Sequence, residues 1–152
     1  MKKLIVYYSY TGNTKLIANK IQEKLNCDIL EITPKIPFST NYDEVVKEYQ
    51  TNNIDRNVEI NDININLDNY DELIIGTPVW WYTMCPVIST FLKKYDLSNK
   101  TVNAFATNAG WLGHTFKDYE KLCNVKSSMN IVFDSNKLKT NEKEINNWIE
   151  KL

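Results

Sequence analysis

A cluster of hydroxyl and amide side chains follows the first apolar run of the chain. Residues 9–14 read S-Y-T-G-N-T and lie between the run at residues 4–8 and a helical pattern. The N-terminus of a helix carries about half a positive charge and several N–H groups without partners, which favour an anion such as phosphate. Gly12 would let the backbone approach that anion closely, and hydroxyl groups donate hydrogen bonds without adding charge.

The same residue types are also favoured in a plain helix cap and turn. Five polar or glycine residues within six positions, placed after the first strand, favour a phosphate site over that alternative. The loop does not match the Walker-type motif, because Asn13 and not lysine follows Gly12. It does not match the dinucleotide fingerprint either. That motif needs three glycines in six positions, whereas residues 9–14 contain only Gly12.

Two further loops are rich in aromatic residues and glycine. Residues 77–86 read T-P-V-W-W-Y-T-M-C-P. Neighbouring side chains of an extended segment point in opposite directions, so Trp80 and Trp81 cannot both face one core. Either one indole fills a surface groove, or these rings cover a planar ligand. Residues 107–113 hold two of the four glycines together with Trp111. The three loops together predict a site for a planar heterocycle on a phosphorylated tail.

The elements that must position these loops alternate along the chain. Five short runs read as strands, at residues 4–8, 28–32, 72–76, 102–106 and 129–133. Helical patterns separate them, with Pro86 at a first helical position and Asn41 and Asn141 as caps. Parallel strands need such crossover helices, and the right-handed crossover rule favours a doubly wound sheet with helices on both faces. In such sheets ligands bind beyond the carboxyl ends of the strands.

Length and composition narrow the class of protein. The 152 residues predict a single domain over residues 1–152. Eighteen basic and nineteen acidic residues give a net charge of -1, without the strong positive field that nucleic-acid binding needs. Three cysteines without a C-x-x-C spacing favour a reducing cytoplasm, and no apolar run approaches the ~18 residues of a membrane span.

Three other features of the sequence lead to further expectations. Residues 51–70, with Ile54 among their scattered apolar side chains, predict a long surface connection, and the alternation of Ile63, Ile65 and Leu67 suggests an edge strand. His114 is the only histidine, so we expect no histidine-based metal cluster, and we expect its side chain to face solvent or to lie at the rim of the site. Cys85, before a helix start, is either a buried thiol or an activated one.

The loops described above resemble the flavodoxin family, and especially its short-chain members with a Pro-x-Trp-Trp loop. Residues 9–14 match the family's S-x-T-G-N-T phosphate loop, residues 78–81 read P-V-W-W, and residues 107–113 are similar to its second flavin loop. The resemblance covers about residues 3–135. It implies a flavodoxin-like α/β fold: a doubly wound five-stranded parallel sheet of order 2-1-3-4-5, binding FMN non-covalently.

The resemblance also implies which residues bind the cofactor. Those of the phosphate loop are Ser9, Thr11, Gly12, Asn13 and Thr14, with Tyr10 in the same loop; those beside the ring are Pro78, Val79, Trp80, Trp81 and Tyr82; those closing its pyrimidine side are Thr107, Asn108, Ala109 and Gly110, with Trp111 and Gly113 completing the loop.

The family's activity implies electron transfer between redox partner proteins. The alternative is an FMN-dependent NAD(P)H:quinone or flavin reductase, and a third possibility is a nucleotide-binding regulatory module without redox activity. Many family members have a glycine in the second loop whose peptide reorients when the flavin is reduced. Residues 77–86 contain no glycine, so we expect weaker stabilisation of the half-reduced flavin.

Overall fold

Five parallel strands form the centre of the structure. The computed structural model describes residues 2–51 and 57–152. The strands are β1 Lys3–Tyr7, β2 Asp28–Glu31, β3 Glu72–Trp80, β4 Thr83–Met84, β5 Thr101–Asn108, β6 Val125–Asp134 and β7 Lys137–Leu138. The parallel strands lie in the order β2-β1-β3-β5-β6, which confirms the predicted order. The two short strands pair antiparallel, β4 with the end of β3 and β7 with the end of β6.

Helices cover both faces of this sheet. They are α1 Asn13–Leu25, α2 Tyr42–Thr51, α3 Pro86–Lys94, α4 Thr115–Leu122 and α5 Glu142–Glu150. Asn41 and Asn141 begin α2 and α5, because their side-chain oxygens accept the N–H groups of Asp43 and Lys143 at 3.0 and 2.8 Å. Within the described residues, no helix combines the length and apolar character that crossing a membrane requires.

Alternating side chains of the strands supply two separate cores. On β1, Leu4 and Val6 pack in one core together with residues of α2, α3 and α4. Ile5 and Tyr7 point to the other face, where they pack with residues of α1 and α5. Burial on both faces explains why β1 and the first part of β3 appear in the sequence as continuous apolar runs rather than as an apolar–polar alternation.

The third strand is longer than predicted. It continues four residues beyond Gly76 to Trp80, and the chain then turns back through β4, which pairs with its end. Gly76 therefore does not end the strand. A Cβ atom at Gly76 would lie 2.1 Å from the Phe105 ring, so the glycine makes room for that ring in the core. The continuation matters because it places Pro78, Val79 and Trp80 in the sheet rather than in a loop.

The described part of the connection before β3 is pinned to the body of the protein. Ile60 and Leu67 are buried, and Ile60 forms an isolated antiparallel bridge with Pro34. Residues 67–69 form a short 3₁₀ turn, and residues 63–66 carry no strand, so the suggested edge strand was wrong. Ile54 lies outside the described residues.

A chain of polar contacts crosses the amino-terminal half of the sheet. The Lys3 ammonium lies 3.1 Å from the buried carboxylate of Glu72, which also accepts a hydrogen bond from Asn103. The Ser127 hydroxyl donates to the Asn103 oxygen at 2.6 Å and accepts the Trp148 indole N–H at 3.1 Å. These contacts link β1, β3, β5, β6 and α5, and they satisfy polar groups that burial would otherwise destabilise.

We expect Ser127→Ala to lower the free energy of unfolding by about 1–3 kcal/mol, because it leaves the Asn103 oxygen and the Trp148 N–H without partners. Ser128→Ala is the matched control, since Ser128 is the next residue on the same strand and is exposed. Urea unfolding of both variants measures the difference. Equal stability of the two variants would contradict the role assigned to this network.

Candidate functional site

A cleft opens at the carboxyl edge of the parallel strands. Its volume is about 730 Å³. Its walls come from the loop after β1 and the start of α1, from the first half of α2, and from the carboxyl ends of β3, β5 and β6 with the residues that follow them. The lining residues are Tyr10, Thr11, Asn13, Tyr42, Val45, Val46, Pro78, Val79, Trp80, Trp81, Tyr82, Thr107, Asn108, Ala109, Trp111, Phe133 and Ser135.

One end of the cleft is the beginning of α1. Gly12 precedes the helix with a φ of 103°, a conformation that favours glycine. The Ser9 hydroxyl oxygen accepts the N–H groups of Gly12 and Lys15, each at 3.1 Å. No described residue accepts a hydrogen bond from the N–H of Asn13 or of Thr14. The helix therefore presents backbone donors and the positive end of its dipole at this place.

Two side chains of the first turn of α1 tie this end to neighbouring strands. The Asn13 amide donates to the Ser135 carbonyl at 2.8 Å. The Thr14 and Thr107 hydroxyls lie 2.7 Å apart, and both residues are buried. The start of α1 and the end of β5 are thus held together by a buried hydrogen bond, which engages the Thr14 hydroxyl.

The loop after β5 is organised by one amide side chain. Asn108 donates from its nitrogen to the Asn130 side-chain oxygen at 2.6 Å and accepts the Gly110 N–H on its own oxygen at 2.9 Å. Gly110 has a φ of 111°, so the bend after Asn108 requires a residue without a side chain. Ala109 and Trp111 then face the cleft from this bend.

The opposite wall of the cleft is aromatic. Trp80 is 4% exposed and packs against Phe38 and Tyr10, with ring centroids at 4.9 and 5.3 Å. Trp81 lies edge-to-face against Trp80 at 5.7 Å. Trp80 is therefore packed in the core, whereas Trp81 is only half-buried and packs against the same core from the cleft.

Three large aromatic side chains are exposed at the cleft. Tyr42, Tyr82 and Trp111 are 64%, 55% and 68% exposed. Exposed rings of this size are unusual, since each leaves a large apolar surface in water. At the same rim, burial and the neighbouring Tyr42 raise the pKa of the Tyr10 phenol, whose hydroxyl donates to the Ser39 carbonyl at 2.6 Å.

Electrostatically, the cleft is neutral. None of its lining residues is acidic, basic or histidine. The described ranges also hold no group of three or more histidine, cysteine or acidic side chains placed to bind a metal ion. An anion here would be held by backbone dipoles, amides and hydroxyls rather than by salt bridges.

Most of the residues singled out in the sequence meet at this cleft, but five do not line it. Ser9 and Gly12 shape the first loop, Thr14 is buried, and Gly110 and Gly113 shape the third loop. Five lining residues were missed by the sequence reasoning: Tyr42, Val45, Val46, Phe133 and Ser135. The aromatic and apolar spacing of α2 was visible in the sequence, but nothing there indicates which sheet edge the helix approaches.

The remaining candidates lie outside the cleft lining. His114 is exposed, and its Nδ1 lies 2.6 Å from the Asp118 carboxylate. Cys85 is fully buried before α3, where its N–H donates to the Thr77 hydroxyl at 2.9 Å. Of the two interpretations left open for Cys85, burial in the core is therefore the correct one.

Known proteins resemble this chain along its whole length. The flavodoxin family profile matches residues 2–152. A flavoprotein of Lactobacillus acidophilus NCFM, solved in complex with FMN, is 26% identical, with 97% of both chains covered and a TM-score of 0.68. A candidate flavoprotein of Bacteroides eggerthii is 28% identical over 99% of this chain and 96% of its own, with a TM-score of 0.79.

A more distant structure agrees in fold alone. Oxidised Flavodoxin 2 of Bacillus cereus is 20% identical, with 100% of both chains covered and a TM-score of 0.60. No functionally curated protein matches the chain. The match over residues 2–152, together with the strand order and the loops that meet at the cleft, shows that the chain is a member of the flavodoxin family.

Proposed function

We propose that this protein binds FMN non-covalently in the cleft and transfers electrons between redox partner proteins. One observation carries the proposal: backbone donors at the start of α1 and an aromatic wall lie at two sides of the same neutral cleft. A phosphate needs the first feature and a planar ring system needs the second. The relative from Lactobacillus acidophilus that was solved with FMN supports the same cofactor.

The phosphate end fits an anion that is held without lysine or arginine. The N–H groups of Asn13 and Thr14 have no acceptor among the described residues, and the Thr11 side chain lines the cleft beside them. A buried or half-buried amide donor stabilises a charged acceptor more than a neutral one. We therefore assign the phosphate to this end, with Thr11 and Asn13 as its side-chain neighbours.

The ring end fits a flat heterocycle. Trp81, Tyr82 and Trp111 face the cleft with large exposed or half-exposed ring surfaces, and Pro78 and Ala109 line it on β3 and after β5. Covering such rings with a planar ligand removes apolar surface from water. When bound, FMN supplies one- or two-electron chemistry, whereas the protein binds it, orients it and excludes water.

The aromatic and neutral lining also affects the reduction potential. Added negative charge on a ligand is disfavoured in surroundings that are apolar and hold no cation. The lining residues include no basic side chain to offset that charge. Bound FMN is expected to be harder to reduce than free FMN.

A second candidate function is an FMN-dependent NAD(P)H:quinone or flavin reductase. It is favoured by one observation: Tyr42, at the α2 side of the cleft, offers a further exposed ring against which a planar small molecule could stack. A reductase oxidises NAD(P)H without a partner protein, whereas a carrier requires a donor reductase.

We expect the purified protein to bind one FMN with quenching of the flavin fluorescence, and to bind riboflavin roughly 100-fold more weakly because riboflavin lacks the phosphate. Fluorescence titration with each flavin measures both affinities. Absence of FMN binding would refute the proposed function. Equal affinity for the two flavins would refute the assignment of the phosphate to the α1 end.

A charge placed at the start of α1 tests that assignment directly. Thr11→Asp is expected to weaken FMN binding about tenfold or more, because the new carboxylate repels the phosphate, and to change riboflavin binding little. Thr11→Asn is the matched control, since it has the same shape without the charge. If Thr11→Asp weakened both flavins equally, charge repulsion could not be the cause.

Carrier and reductase are distinguished by turnover. We expect the FMN-loaded protein to oxidise NADPH with a quinone no faster than free FMN does, but to accept electrons when a flavodoxin reductase is added. Absorbance at the NADPH and flavin bands follows both reactions. Rapid oxidation of NADPH without the reductase would replace the carrier by the second candidate.

A further inference from the structure

The turn that carries Trp81 and Tyr82 has an unusual backbone. β3 and β4 are joined by these two residues alone, and both have positive φ angles, 47° and 67°. Positive φ at both central positions is the pattern of a type I′ hairpin turn, which normally contains asparagine, aspartate or glycine. For bulky residues the left-handed conformation costs about 1–2 kcal/mol each. Contacts elsewhere must therefore stabilise this turn.

The first of these contacts comes from the residues just before α4. The Tyr82 carbonyl accepts the His114 N–H at 2.8 Å. A Cβ atom at Gly113 would lie 2.3 Å from the Tyr82 carbonyl oxygen and 2.6 Å from its Cα atom. Gly113 also has a φ of 60°. Only glycine allows the backbone of this segment to lie directly against the turn.

The second contact comes from inside α4. The hydroxyl of Thr83, the residue after the turn, donates to the Asp118 carboxylate. The same carboxylate oxygen lies 2.6 Å from Nδ1 of His114, and its other oxygen lies 3.4 Å from the Lys121 ammonium. Although partial burial opposes ionisation, the hydrogen bonds from Thr83 and His114 hold the pKa of Asp118 below its usual range. Asp118 is therefore ionised at neutral pH, and an ionised carboxylate only accepts, so His114 Nδ1 carries the proton.

The residues that contact the turn all lie in one short segment of the chain, residues 113–118. Residues 113 and 114 meet Tyr82, and Asp118 meets Thr83. None of Gly113, His114 and Asp118 lines the cleft, whereas Trp81 and Tyr82 do. The orientation of two cleft-lining rings thus depends on groups that a ligand in the cleft does not touch.

We propose that residues 113–118 clamp the turn at Trp81 and Tyr82, and that Asp118 is a positioning residue for the flavin ring, acting through Thr83. The role in flavin binding rests on the proposed function, but the clamp itself is a property of the protein without FMN. Gly113, for which the family resemblance implies cofactor binding, is assigned to this clamp.

Two variants break the clamp, and one control leaves it intact. Asp118→Ala removes the acceptor, and Thr83→Val removes the donated hydroxyl while keeping the shape of the side chain. Glu120→Ala is the matched control, because it removes an exposed carboxylate from the same helix. Asp118→Asn keeps an oxygen in place and is expected to retain most of the clamp's effect.

The readout of the clamp without FMN is the circular dichroism of the indole pair. Trp80 and Trp81 lie at 5.7 Å with an angle of 71° between their planes, so their transitions couple and give an exciton couplet. We expect Asp118→Ala and Thr83→Val to reduce this couplet while the helical signal is kept. Glu120→Ala is expected to leave the couplet unchanged.

The readout with FMN is affinity. We expect Asp118→Ala and Thr83→Val to weaken FMN and riboflavin binding by the same factor, roughly tenfold, because the clamp acts on the ring and not on the phosphate. The double variant should lose no more than Asp118→Ala alone, since Thr83→Val removes a hydrogen bond that Asp118→Ala has already removed.

The proposal is overturned if the couplet of Asp118→Ala and Thr83→Val equals that of the unmodified protein. It is also overturned if Glu120→Ala loses the couplet to the same extent, because the effect would then not be specific to the clamp. If the unmodified protein bound no FMN, the proposed function would fail, and the couplet alone would decide whether the clamp exists. If Asp118→Ala failed to fold, the couplet of Thr83→Val would decide by the same criterion, and Asp118→Asn, which keeps an acceptor oxygen, should retain the couplet.

Discussion

The parallel pairing of β1 with its two neighbouring strands determines where the protein can form a ligand-binding cleft. β1 lies between β2 and β3, and β3 continues the sheet to β5 and β6. Parallel strands bring their carboxyl ends to one edge, so loops that are far apart in sequence meet there. Because α1 and α3 leave neighbouring strands toward opposite faces, a crevice opens between them. The cleft is a consequence of this topology, and its side chains only line it.

In the proposed function, the cleft binds the phosphate of FMN with backbone N–H groups and neutral side chains rather than with charged ones. The donors at the start of α1 are already in place, and the bonds of Thr14 to Thr107 and of Asn13 to Ser135 hold the surrounding loops. Such a site needs little rearrangement when an anion enters, which favours binding. The aromatic wall of the cleft is arranged differently. Trp81 lies in a turn with positive φ, and the hydrogen bond from Thr83 to Asp118 of α4 stabilises that turn.

The sequence predicted the parts of the fold that depend on local pattern. Apolar runs marked the five parallel strands, and the rule that ligands bind at their carboxyl ends led to the three loops. The hairpin at Trp81 was not predicted, because Trp-Tyr is not a sequence from which a type I′ turn would be expected. Val45 and Ser135 were missed for another reason, since their place at the cleft depends on how α2 and the end of β6 pack. Residue-level assignments at the site remain predictions.

The most direct test of the central claim is a titration of ¹⁵N-labelled protein with FMN, followed by amide chemical shifts. Our account predicts the largest changes at the backbone amides of Asn13 and Thr14 and at the indole N–H of Trp81, saturating together at one equivalent. No change on adding FMN would contradict it. So would changes confined to the lysine-lined depression around Lys35 and Lys93, which lies apart from the cleft.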